Sequence, residues 1–166
     1  MAWDPDISVF DERALNDNII AYLEANQTDA LYWANGNAGG LPDIRAFHKS
    51  PRLVKVFPAF TIINSDHVTE YEDILNIELN MVFELAVVHG DQDTLTDRSK
   101  KYVMAVESMI TNLPKTTFNT DSYIVVNATL NGLESVYDVQ GQVKTNQFIQ
   151  VSQTRAQWAL TAAARA

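Results

Sequence analysis

Hydrophobic and polar residues alternate along Glu72 to Val88, where Ile77, Leu79, Met81, Phe83, Leu85 and Val87 recur at every second position and Glu78, Asn80 and Glu84 fall between them. Successive strand side chains point to opposite faces, so this row predicts a long β-strand with one buried and one wetted face. Helical periods lie on either side. From Asp11 to about Gln27, Leu15, Ile19, Tyr22 and Leu23 share one face, Asp11 supplies an N-cap, and Glu12 sits in the first turn. From Asp93-Thr94 onward, Leu95, Tyr102, Val106, Met109 and Leu113 form a second stripe; Thr94 with Asp97 is expected to cap it and Pro114 to end it.

The remaining segments are strand-like. Leu53 to Asn64 is rich in β-branched and aromatic residues, and Pro58 within it predicts an edge position or a bulge. Asn64, Ser65 and Asp66 offer turn chemistry that would fold this segment against the long strand as a hairpin. Tyr123 to Leu130 and Leu133 to Val143, joined by Asn131-Gly132, read as a second hairpin, because an Asn-Gly pair accepts positive φ angles. Phe148 to Leu160 adds a last extended segment, and residues 161–166, Ala-rich, are expected to fray or add a helical turn. Residues 1–10 suit an extended lead-in that packs Trp3 or Phe10 against the body. The expected fold is α+β: two helices packed on one face of a mostly antiparallel sheet, in the order helix, hairpin, helix, hairpin, plus a C-terminal strand. A length of 166 residues with 46% hydrophobic content suits a single domain.

One stretch departs from this regularity. Trp33 to Pro51 concentrates Gly36, Gly39, Gly40, Pro42 and Pro51, which predicts a long loop over residues 33–52. Long loops in small domains tend to be functional or disordered. Arg45, His48, Lys49, Arg52 and Lys55 follow one another there with no acid between them, against the trend of a chain whose net charge is −9. This basic run is the candidate partner-contact loop.

The overall charge argues against wide contact with a phosphate backbone, since such affinity comes from cations that release counterions. Cysteine is absent, which removes disulfides, thiolate ligands and cysteine nucleophiles. No apolar run reaches bilayer length and the first residues lack a signal-like pattern, so no membrane partner is expected and the cytoplasm is the default site of synthesis. His89-Gly90-Asp91-Gln92-Asp93 with Asp97 departs from a calcium loop and reads better as a strand-to-helix turn. His48, His67 and His89 are expected in three separate turns with no close spacing to pair them, and no nucleophile elbow, Walker loop or dinucleotide fingerprint occurs. Gly36 to Gly40 lacks the Lys and Ser or Thr of a phosphate cradle, and Trp33, Trp158, Tyr71 and Phe47 are better explained by packing than by base stacking. No catalytic, cofactor-binding or metal site is expected.

The phrases FPAFTIIN, IELNMVFEL and TDRSKKYVMAVESMI, the last ending at Leu113-Pro114, together with the order of elements, resemble the tail terminator (tail completion) proteins of long-tailed bacteriophages over about residues 11 to 160. The resemblance implies a non-enzymatic virion protein assembled in the host cytoplasm. Its partners would be copies of itself in a six-membered ring, the tail tube protein whose growth it stops, and a head-completion or connector protein, with DNA passing through without tight binding. The Gly-rich loop and the Ala-rich tail depart from the family pattern. A head-completion adaptor is the near alternative. A small cytoplasmic enzyme or ligand-binding domain, with His67, His89 or Asp91 near a pocket mouth, is the alternative from another class.

Overall fold

The computed structural model describes residues 10–71, 74–121, 123–137 and 140–164. Helix α1 spans Glu12–Ala34, and the Asp11 carboxylate accepts from the Arg13 and Ala14 N–H groups as the expected cap. The helix passes well beyond Gln27 because the buried stripe Leu15, Ile19, Leu23 continues through Gln27 to Leu31 at four-residue spacing. Helix α2 spans Gln92–Thr111, and its cap is Asp91 rather than Thr94 with Asp97. The Asp91 carboxylate accepts from both the N–H and the hydroxyl of Thr94.

Strands β1 (Ala46–His48), β2 (Ala59–Tyr71), β3 (Leu75–His89), β4 (Tyr123–Tyr137), β5 (Gly141–Lys144) and β6 (Gln147–Ala164) form one sheet in the order β1-β2-β3-β6-β4, with β5 also paired to β6. Only β1 against β2 is parallel. The architecture is therefore the expected α+β arrangement. The predicted inner row of β3, from Ile77 to Val87, is buried in a single core with the stripes of both helices. Each fully buried Phe or Leu in that row contributes about 1.5–3 kcal/mol through removal of its surface from water. Phe60 stacks on Phe83 at 5.3 Å, and Phe118 meets Trp158 edge-on at 5.4 Å, closing the two sides of the core.

Several expectations need correction. Leu53 to Phe57 is not part of a strand, and Pro58 stands just before β2. Asn64, Ser65 and Asp66 do not turn: they lie within β2, and their local chemistry is spent on a register shift between Ile62 and Asn64. The hairpin reverses instead between Tyr71 and Leu75. Asn131-Gly132 likewise lies inside β4, at a register shift between Leu130 and Gly132, while β6 pairs with the whole of β4 from Tyr123 to Tyr137. The predicted second hairpin thus runs in one direction through β4 and β5, both antiparallel to β6, and the chain turns back only between Lys144 and Gln147. The C-terminal segment neither frays nor coils before Ala164; it continues as β6. Of the lead-in, Phe10 is buried in the core, whereas Trp3 lies outside the described residues, as does Glu72.

Candidate functional site

The basic run is only partly a loop. Its upstream part is held by α1: Gln27 Oε1 accepts from the Ile44 N–H at 2.7 Å, and Gln27 Nε2 donates to the Ile44 carbonyl at 3.4 Å. Thr28 donates its hydroxyl to Asp43 at 3.0 Å, and Tyr102 of α2 donates its hydroxyl to the Pro42 carbonyl. The glycines before it end α1. Gly36 and Asn37 take positive φ angles of 70° and 57°, and the Asn35 amide donates to the carbonyls of Ala38 and Gly39. A helix C-terminus carries the negative end of the dipole, so this turn is unsuited to an anion.

The five candidate residues then separate into groups. Arg45 is exposed, and its N–H and that of Ala46 both donate to the Pro58 carbonyl. His48 pairs with Thr61 on the short edge strand β1. Burial first, and then the neighbouring Arg52 guanidinium, hold the His48 pKa below its ordinary value, so both effects favour a neutral imidazole. Lys49 turns toward α1 and pairs with Asp17 at 2.6 Å; the pair is exposed and contributes little stability. Arg45 and Lys55 border a surface hollow of about 260 Å³ with Val56, Phe57, Val88 and Gln147. The structure therefore brings His48 and Arg52 together, and Arg45 and Lys55 together, but directs Lys49 elsewhere.

Two features near this run escaped the sequence reading. Leu53 is 81% exposed and Val56 43% exposed, so the segment between the cations is apolar and faces solvent. Gln27 was visible only as a polar residue on the apolar stripe of α1, a spacing that could have marked it as a buried anchor.

Other residues considered for chemistry have structural partners. His67 pairs with Glu12 at the start of α1, and His89 Nδ1 accepts from the Asp91 N–H at 2.9 Å. Asp91 is engaged in capping, which lowers its pKa through the Thr94 hydroxyl and N–H. Trp158 is buried, Phe47 packs on Phe60, and Trp33 is exposed at the end of α1, so these aromatics do not form a stacking platform. Among the described residues, no group of three or more His, Cys, Asp or Glu side chains is placed to hold a metal ion. No described helix is long and apolar enough to cross a membrane.

Among the described residues, nothing packs over most of the sheet face opposite the helices. The pairing registers place Asn64, Val82, Arg155 and Glu134 in one row across it, Val68, Glu78, Ala159 and Thr129 in another, and Glu70, Asn76, Thr161 and Asn127 in a third. Asp66, Glu70, Glu78, Glu84 and Glu134 all lie on this face, and Arg155 is the one cation among its described residues on β2, β3, β4 and β6.

No family model matches the chain, and no curated protein matches it. Among solved structures, a chain from "Virion of native gene transfer agent (GTA) particle" is similar, with a TM-score of 0.50 and 10% sequence identity, over 92% of this chain and 99% of that one. The likeness is one of fold, and it extends across nearly the whole of both chains.

Proposed function

We propose that this chain is a structural subunit of a phage-type virion, acting as a tail terminator. In this reading copies close into a ring, six-membered as in the family the sequence resembles, that caps the tail tube, stops its elongation and provides the junction to the head. The observation that carries the reading is the fold likeness to a virion chain over 92% of this chain and 99% of the other. The likeness spans nearly the whole of both chains, so it is one of the complete sheet-and-helix arrangement and not of a short shared motif. The net charge of −9 supports it, because a ring threaded by DNA must not grip the phosphate backbone. The exposed basic and apolar segment and the bare acidic sheet face supply surfaces for neighbours. On this reading the chain turns over no substrate.

Size-exclusion chromatography with light scattering, backed by negative-stain microscopy, tests the proposal at high protein concentration and with polymerised tail tube added. Closed rings that bind tube ends are expected. A chain that stays monomeric in both conditions overturns the ring, and binding to portal or connector complexes in place of tube ends reassigns it as a head-completion adaptor.

A further inference from the structure

We propose that the irregular segment Pro51 to Phe57 of one copy docks on the bare sheet face of the next copy, in the depression bordered by Val68 and Ala159. The proposal rests on the reading of the chain as a self-assembling subunit and names the two surfaces that meet.

The donor segment is tethered at both ends. β1 pairs with β2 before it, and the Pro58 carbonyl is held by the N–H groups of Arg45 and Ala46 after it. Between these tethers the backbone from Pro51 to Lys55 has no regular structure, yet it presents Leu53 at 81% exposure, flanked by exposed Arg52 and Lys55. A large aliphatic side chain that open to water contributes nothing to the fold of its own copy, and its burial elsewhere is favourable. The tethers reduce the ordering cost of docking, since the segment already has a fixed path.

The receiving surface has complementary chemistry. A depression of about 220 Å³ on the bare face is lined by Val68, Glu70, Asn76, Glu78, Ala159 and Thr161, with Ile77 and Leu160 completing its floor. Val68, 61% exposed, and Ala159 are the apolar residues of this seat and flank Glu78, which pairs with both, while Glu70 stands exposed two residues further along β2. Leu53 suits the seat, and Arg52 and Lys55 suit the two carboxylates.

Distance forces the contact to be between copies. The donor segment leads into the first residue of β2, whereas Val68 and Glu70 lie near its far end; a strand of 13 residues separates the two ends by about 40 Å. A single copy cannot fill its own depression. Each copy would therefore donate at one end and receive at the other, the heterologous arrangement that closes into a ring when the rotation permits. Edge-to-edge pairing is the competing mode, and the edges are blunted against it. β4 carries register shifts at Val125/Asn127 and at Leu130/Gly132, and β2 carries one at Ile62/Asn64, each of which bends and twists an edge.

A charge exchange tests the contact. One full-length variant carries Arg52→Glu and Lys55→Glu, and a second carries Glu70→Lys and Glu78→Lys. All four positions are exposed, and circular dichroism melts check that each variant keeps its fold. By light scattering and native mass spectrometry, each variant alone is expected to associate roughly tenfold or more weakly than the parent, because like charges then face each other. An equimolar mixture is expected to recover assembly as an alternating complex of even number, since the acidic segment of one then faces the basic depression of the other, and the reverse. Leu53→Asp is expected to weaken association that no charge exchange restores. Parent-like assembly of both charge variants overturns the docking while leaving the ring reading intact. Loss of assembly without recovery on mixing also overturns the docking, and a parent protein that is monomeric throughout overturns both.

Discussion

Gln27 on α1 holds both backbone polar groups of Ile44, accepting from its N–H at 2.7 Å and donating to its carbonyl at 3.4 Å, so one buried side chain acts toward Ile44 as a neighbouring strand would. This clamp fixes the entry to the basic run, immediately before Arg45. Replacing Gln27 by Leu keeps the bulk but leaves a buried N–H and carbonyl without that partner, a loss of about 1–3 kcal/mol. Denaturant unfolding should show the lower stability, and amide exchange at Ile44 should accelerate more than exchange in β3.

Tyr102 connects the opposite helix to the same region through its hydrogen bond to the Pro42 carbonyl. Burial pushes its pKa up to about 12, with Arg98 opposing the rise and Asp43 adding to it. The folded pKa lies above the unfolded one, so the associated stability is fully present below about pH 10 and is lost as pH rises through about 12. Melting midpoints measured along that alkaline range should fall more steeply for the parent than for Tyr102→Phe. At neutral pH the variant should be less stable, because the Pro42 carbonyl loses its donor.

Asp91 gives the opposite sign. The Thr94 hydroxyl and N–H, in that order, hold its carboxyl below the ordinary carboxylate range, against a small opposing effect of burial and with help from His89. Its capping contribution is present above the unfolded pKa and disappears as pH falls through the depressed folded value. Asp91→Ala should lower the melting midpoint at neutral pH and flatten its acid limb, whereas Asp91→Ser, which keeps a capping oxygen, should recover most of the loss at neutral pH.

Gly90 lies where β3 passes into α2, and a Cβ there would sit 3.1 Å from the Asn146 backbone carbonyl in the turn between β5 and β6. Gly90→Ala should push that turn away at a cost of about 1 kcal/mol, of the order expected for modest overpacking. Gly39→Ala is the control: nothing lies within 4 Å of its Cβ position, and its melting curve should match the parent.

The alternating row of β3 and the stripes of both helices were readable because they depend only on local periodicity and on which side chains avoid water. The α+β arrangement followed from them. The turns were misread for a physical reason: Asn64-Ser65-Asp66 and Asn131-Gly132 tolerate reversal, but they tolerate a bulge as well, and the choice depends on what lies alongside. β6, with 18 residues, is long enough to pair with all of β4, so the chain stays extended through Gly132, which pairs with Gln157. The composition of the basic run was equally plain, whereas its division was not. Lys49 meets Asp17 and His48 meets Arg52 only because α1 and β1 pack beside them.

By itself the sequence determined which residues must leave water, the charge the surface must carry and the helical or extended period of each segment, since these are properties of neighbours along the chain. Tertiary structure alone decided that, among the described residues, little packs on one face of the sheet, and that Leu53, ahead of β2, and Val68, in the far part of it, are left exposed. Exposure of this kind is a property of what packs on top. No local pattern encodes it, because whether a face is covered depends on segments far away along the chain.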